Sequence, residues 1–299
     1  MDGSNKANLL LHRIFTIDVE DWFHILDSPA VPLISEWDRL ESRLERNLRV
    51  LLDLLGRCHV KATLFWLGWA AERFPALLKE CRATGHEIGS HGYAHILAFQ
   101  AGEAAFREDT AKAKSIIEGI LGERIDGYRT PGFGITEATP WAFEIIRELG
   151  HTYDSSVFPA ARGHGGQARA AIGSYEIQTA HGPLHEVTLS VVECAGKRFS
   201  LFGGGYLRLA PLSLICWGAK WLERRGYPMV IYIHPREIDP EHPRLPLPFL
   251  RRFKCYVNLA GTAAKLEHLC QGAEFCTMGQ WVEQHRSGSA GKTGGSFWK

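Results

Sequence analysis

Apolar residues along this chain fall into two alternating patterns. Short continuous runs are separated by longer stretches in which Leu, Ile, Phe or Ala recurs every three or four positions. The short runs read as buried strands: 14–17, 61–67, 86–90, 125–129, 153–155 and 229–233. The stretches between them read as helices. Ser35 caps one through Leu55, with Leu40, Leu44, Leu48, Leu51, Leu52 and Leu55 in helical register and Gly56 as a stop. Others are predicted over 69–84, over 103–122, from Thr136 or Thr139 to Leu149, over 211–225 and over 262–270, and a last strand and helix over 275–284. Strand–helix alternation with apolar strands predicts a parallel sheet covered by helices, and six or seven such units favour a barrel over an open sheet. Residues 159–205 break the rhythm, reading as an inserted loop followed by extra strands, and about 236–286 form a C-terminal extension. The expectation is one domain over 1–286, then a Gly/Ser-rich disordered tail over 287–299.

Composition narrows the function classes. The formal net charge of +1 gives no general electrostatic case for nucleic acid or an anionic surface. No apolar stretch approaches the length of a membrane span, and the Leu9-Leu10-Leu11 run is too short for a signal sequence, so a cytoplasmic protein is expected. The seven cysteines are scattered without a CxxC pair and predict no disulfide framework.

Ionisable residues gather where the predicted strands end: Asp18, Glu20 and Asp21, then His91 and His95, Arg129, Asp154 and His234. In a barrel these ends converge on one mouth. His91 and His95 are four apart, and one helical turn would put both imidazoles on one face. With one carboxylate they supply the three protein ligands a divalent ion needs while leaving positions open. A bound water would be acidified, a second carboxylate could take its proton, and the remaining histidine could protonate a leaving nitrogen. Each group has a plainer reading: Asp18–Asp21 as a turn cluster, Arg129 as an ion-pair residue, Asp154 as a helix cap, His234 as a strand end. The plainer readings must explain the whole set at once.

The set resembles the polysaccharide deacetylases of the NodB homology domain, carbohydrate esterase family 4, whose five short motifs come in fixed order. Thr16–Asp21 is similar to the first, Ser90–His95 to the second, Arg129–Phe133 to the third, Tyr153–Ser156 to the fourth and Ile231–Pro235 to the fifth. Phe202–Leu209, His234–Pro240 and Tyr256–Leu259 resemble an exopolysaccharide- and O-antigen-associated branch with its own C-terminal extension. The resemblance implies a distorted (β/α) barrel of seven or eight strands. It implies Asp18 as general base, His91 and His95 as metal ligands, His234 as general acid, Arg129 orienting the base and Asp154 pairing with the acid histidine. Many members carry two adjacent aspartates in the first motif, and here Val19 stands in the second place. Glu20 shares a strand face with Asp18 and is the expected ligand, with Asp21 as rival. Trp22, Pro131, Phe133 and Ile233 are the expected substrate contacts, and Phe158 stands near Asp154 in place of a groove tryptophan.

The expected activity is therefore metal-dependent hydrolysis of the N-acetyl group of an amino sugar in a bacterial glycan or glycan precursor. The expected ion is zinc, with cobalt, nickel or iron as alternatives. A deformylase or amidase acting on a lipid-linked sugar or small amide keeps the fold and changes the acyl group. A glycan-binding module with a degenerate metal site is the rival from another class, and it requires Glu20 and Asp21 to point away from the histidines. The sequence does not fix the oligomeric state.

Overall fold

A computed structural model describes residues 13–26, 28–162 and 165–286. The Leu9-Leu10-Leu11 run and the expected disordered tail lie outside the described residues. The described residues form ten strands: β1 (Arg13–Val19), β2 (Thr63–Trp66), β3 (Glu87–Ser90), β4 (Gly127–Tyr128), β5 (Tyr153–Asp154), β6 (Ser174–Thr179), β7 (Gly182–Val187), β8 (Val191–Cys194), β9 (Lys197–Ser200) and β10 (Met229–Ile233). The main sheet runs β10-β1-β2-β3-β4-β5-β7-β6, and β8–β9 is a separate hairpin. All pairings from β10 to β7 are parallel, and only β6 is antiparallel, on the outer edge of β7. This is the distorted (β/α) barrel of seven to eight strands.

Strand alternation sorts the side chains. Ile14 of β1, Phe65 of β2, Tyr153 of β5, Val187 of β7, and Val230 and Tyr232 of β10 cluster inside the curled sheet, plugged by Met278 and Trp281. Phe15, Ile17 and Val19, with Leu64, Trp66, Ile231 and Ile233, face outward into a larger core beneath the helices. Among the described residues no ladder joins β6 to β10. The seam beside β10 is bridged by a hydroxyl and a backbone bond: Ser190 Oγ accepts from Val230 N–H at 2.7 Å and donates to the Pro228 carbonyl at 2.9 Å, and Tyr232 N–H donates to the Phe202 carbonyl at 3.0 Å.

Several expected elements are recut. The helix expected over 35–55 is a short turn, Ile34–Trp37, and a long helix, Leu44–Arg57. The helix over 69–84 breaks at Pro75, which opens the second piece, Pro75–Ala83, because proline cannot continue the ladder of the first. Within 159–205, β7 is an integral parallel strand of the barrel beside β5, and only β6 and the β8–β9 hairpin are additions. The helix Phe249–Tyr256, absent from the sequence expectation, sits in the C-terminal extension.

Candidate active site

The carboxyl ends of β1, β3, β4 and β10 bring the site together, as parallel barrel strands must. Strand β1 ends in a tight turn in which Glu20 N–H donates to the Asp18 carbonyl at 2.9 Å. Val19 stays in the outer core while Asp18 and Glu20 face inward, both buried. Glu20 Oε1 lies 3.0 Å from His91 Nε2 and 2.8 Å from His95 Nε2. These three ligand atoms lie within 4.8 Å of one another. Burial alone would raise the Glu20 carboxyl, but the charges of His95 and His234 and the bonds from His91 and His95 hold it well below the usual carboxylate range.

His91 and His95 do not share a helix, correcting the sequence expectation. The segment is a loop in which Gly92 has φ +72° and His95 itself is left-handed at φ 54°. The loop is pinned from below: Asp109 accepts from Tyr93 N–H at 2.7 Å and Ala94 N–H at 2.8 Å. A Cβ at Gly92 would stand 2.6 Å from the Asp109 carboxylate, so this position tolerates no side chain. His91 Nδ1 donates to the Arg129 carbonyl at 2.7 Å, so the neutral ring turns an Nε2 lone pair to Glu20 and only the charged ring donates there.

Asp18 is held differently. Arg129, fully buried, donates through Nη1 to Asp18 Oδ1 at 2.7 Å and to Thr16 Oγ1 at 2.8 Å. Its Nε and Nη2 donate to the carbonyl and hydroxyl of Ser155, and its guanidinium lies 4.3 Å from the Phe65 ring centroid. Asp18 Oδ2 is left toward the cleft, 3.9 Å from His234 Nε2, and His234 Nε2 is 3.8 Å from Glu20 Oε1. Asp18, Glu20 and His234 also form a triad of donors that could hold an ion, but a wider one that shares Glu20 with the first.

The partner of His234 is Glu237, not Asp154. His234 Nδ1 lies 2.7 Å from Glu237 Oε1, and Glu237 Oε2 accepts from Arg208 at 2.6 Å. Burial opposes the Glu237 charge, but Arg208 and His234 hold its carboxyl to about 2. Burial likewise disfavours charged His234, and the charges of Glu20 and Glu237 outweigh it, so its pKa is raised. Asp154 sits on β5, opposite Glu186 of β7. It accepts from Ser156 Oγ at 2.6 Å, and Ser156 Oγ in turn accepts from Thr130 N–H. Burial pushes Asp154 up to about 6 and Glu186 well above the usual range, so this facing pair carries a proton and braces the loops around Arg129.

Asp21 is not beside the histidines. It accepts from Trp22 N–H, Ser42 Oγ and Arg43 N–H, fastening the loop before the Leu44–Arg57 helix. Trp22 and Ile233 are core residues, Trp22 donating through Nε1 to the Glu41 carbonyl and Ile233 lying on the face of β10 opposite His234. Pro131 is buried, and Phe158 packs behind Phe133. Of the four expected substrate contacts, only Phe133 lines the cleft of about 490 Å³ that holds Asp18, Glu20, His95 and His234.

Three cleft groups escaped the sequence reading. Glu237 stands three residues after His234, a capping-box spacing that could have flagged it. His24 is buried, and its Nδ1 accepts from Asp21 N–H at 2.9 Å, so neutral His24 carries its proton on Nε2, which has no partner among the described residues. Tyr206 comes from the helix Gly204–Leu209, which no apolar periodicity announces.

Comparison with known proteins agrees with this architecture. The polysaccharide deacetylase profile matches residues 37–153, and a domain of unknown function, DUF3473, matches 155–283. A peptidoglycan-N-acetylglucosamine deacetylase of Bacillus cereus is 36% identical over 95 residues, which span 31% of this chain and 34% of that protein. A peptidoglycan deacetylase of Helicobacter pylori is 29% identical over 107 residues, 36% of each chain. The matched segments thus span about a third of these curated relatives. A crystal structure of a polysaccharide deacetylase from Mycobacterium smegmatis superposes with a TM-score of 0.65 at 19% identity, over 97% of this chain and 95% of that one, and shares the fold. The chain therefore carries a polysaccharide deacetylase domain over residues 37–153 followed by a DUF3473 region over 155–283, and both contribute to one barrel.

Proposed function

We propose that this protein hydrolyses the acetamide of an N-acetylated amino sugar in a bacterial glycan or glycan precursor, an exopolysaccharide intermediate in the reading of the C-terminal region. The observation that carries this is the convergence of Asp18, Glu20, His95 and His234 in one cleft with His91 against Glu20 behind it, Arg129 holding Asp18 and His91 and Glu237 holding His234. A resident divalent ion fits the donor set. His91 Nε2 is a lone pair once Nδ1 donates to a carbonyl, and it faces a carboxylate oxygen at 3.0 Å. Two acceptors this close repel unless a cation or an extra proton lies between them. Glu20, His91 and His95 would hold the ion, zinc in this reading with cobalt, nickel or iron as alternatives. When bound, it supplies Lewis acidity, acidifying water and polarising a carbonyl.

The chain's own residues do the rest. Arg129 ties up one oxygen of Asp18 and turns the other to the cleft, where it can take a proton from the attacking water. Glu237 anchors His234 through Nδ1 and favours its protonated form, which suits Nε2 to protonate the departing amine. Glu20 facing both histidines argues against the degenerate binding module.

The test is acetate release from N-acetylated oligosaccharides by metal-loaded protein, with formate measured in parallel. Acetate is expected. Release of formate instead supports the deformylase alternative, and neither product from protein with a full metal complement overturns the hydrolase reading.

A further inference from the structure

The rim of the cleft is unusually apolar for a surface exposed to water. In the helix Phe249–Tyr256, Phe249 is 81% exposed and Leu250 72%, and Phe253 one turn later is also exposed. The other side of this helix is anchored: Cys255 and Tyr256 pack with Ile25, Leu247 and Leu259, and Arg208 donates to the carbonyls of Lys254 and Cys255. The exposed side chains are therefore carried on a fixed element and are not a frayed end. Leu250 and Phe253 line the cleft together with Tyr206 and Leu209. Tyr206 and Leu209 also line a second hollow of about 600 Å³, where exposed Phe199, Leu214 and Trp217 continue the apolar surface. The two hollows thus form one apolar rim running from the catalytic cleft to the helix Leu212–Glu223. Contiguous exposure of this kind marks an interaction surface.

Charge identifies the partner. The net charge is +1 for the whole chain, but it is not spread evenly. Residues 194–222 and 242–266, which build this rim, contain lysine and arginine and no aspartate or glutamate. Arg208 and Lys265 are engaged internally, by Glu237 and by backbone carbonyls. Arg244, Arg252, Lys254 and Lys197 remain exposed. Exposed Phe and Leu, with Trp and Tyr beside them and basic residues interleaved, is the composition of a surface that lies in the headgroup region of an anionic bilayer. A protein partner would need acidic and apolar groups in matching register, whereas a bilayer presents both everywhere.

We propose that the Phe249–Phe253 rim docks on an anionic membrane, so that the cleft opens at the level of the lipid headgroups. This does not rest on the deacetylase reading, because docking is measured without turnover. The experiment is flotation of the full chain with vesicles of phosphatidylcholine, with and without phosphatidylglycerol. Binding is expected only with the anionic lipid and is expected to weaken with salt. Phe249→Ser/Leu250→Ser/Phe253→Ser should lower the bound fraction about tenfold or more, and Arg252→Glu/Lys254→Glu should abolish the preference for phosphatidylglycerol. These side chains are exposed, and circular dichroism and metal content confirm that the variants fold. Absence of wild-type binding, or equal binding by wild type and the triple variant, overturns the proposal. So does a concentration-dependent dimer that the triple variant dissolves, which would make a second copy the occupant.

Discussion

Replacing Arg129 with methionine tests how Asp18, the proposed general base, is held. The guanidinium makes four hydrogen bonds, to Asp18, Thr16 and the carbonyl and hydroxyl of Ser155, and is fully buried. Methionine keeps much of the stem volume and the contact with Phe65, so cavity formation adds little. What it removes is the counter-charge of Asp18, itself only 2% exposed. Breaking a buried pair by deleting one partner costs about 3–5 kcal/mol, because the other charge is left uncompensated. At roughly 2–4 °C per kcal/mol for a chain of this size, the melting temperature should fall by about 10 °C.

The pair term is isolated by a cycle. Asp18→Asn removes the charge but leaves an oxygen for Nη1, and Arg129 keeps Thr16 and Ser155. It should therefore cost less, roughly 1–2 kcal/mol. With Asp18→Asn in place, Arg129→Met no longer strands a carboxylate, so the double variant should be more stable than the sum of the singles predicts, by about 1.5–3 kcal/mol. Urea unfolding of chelator-treated protein reads all four corners without interference from metal. Additive losses would show that Arg129 stabilises the barrel through Ser155 and Thr16 alone, and its assignment as the residue that positions the base would fail.

Other consequences are independent of that pair. His91→Ala should lose most bound divalent ion, measured by elemental analysis after gel filtration, while Asp21→Asn should keep it; retention by His91→Ala would move the ligand set elsewhere. Glu237→Gln removes the negative charge beside His234, so the pKa of His234 should drop and the alkaline limb of the rate profile should move about one unit or more to lower pH; an unmoved limb would release His234 from the role of acid. Burial lowers His86 to about 4 and His151 to about 3. Both stay neutral in the fold, while the unfolded chain takes up protons near ~6.5. Their contribution is therefore complete above that pH and is lost progressively as pH falls from it toward 4 and 3, so urea midpoints should decline from pH 7 to pH 5.

The apolar runs made the parallel strands and their order along the barrel legible, because a strand buried on both faces has few alternatives. Strand β7 was obscured because the β6–β7 hairpin reads as half-exposed alternation, and only its pairing with β5 reveals it as part of the barrel. The site was legible wherever a residue type carries its own chemistry: Asp18, Glu20, His91, His95, Arg129 and His234 converge. It was not legible where the role depends on which way a strand faces. Ile233 lies one residue from His234 and points to the opposite side of the sheet. The resemblance paired Asp154 with His234, but Asp154 is taken up by Ser156 and faces Glu186, and the actual partner of His234, Glu237, was hidden in a short turn.

The spelling Asp18-Val19-Glu20 follows from the same geometry and can be tested by rewriting it. The bond from Glu20 N–H to the Asp18 carbonyl makes a one-residue bend at the end of β1, so the second acid reaches the histidines from position 20. Under this backbone position 19 points outward, and Val19 is fully buried among the apolar side chains beneath the helices. Moving the acid back to the adjacent-aspartate form, Val19→Asp/Glu20→Ala, should therefore fail twice. It places a carboxylate with no partner in the outer core, at a cost of several kcal/mol, and it removes the oxygen that lies within 3.0 Å of both imidazoles. The variant is expected to unfold at much lower urea and to bind no divalent ion, whereas Glu20→Asp, which keeps the acid on the inner side, should retain measurable metal. Metal binding by the swapped variant at near wild-type stability would show that β1 can shift its register at Val19, and that the bend does not determine which residue is the ligand.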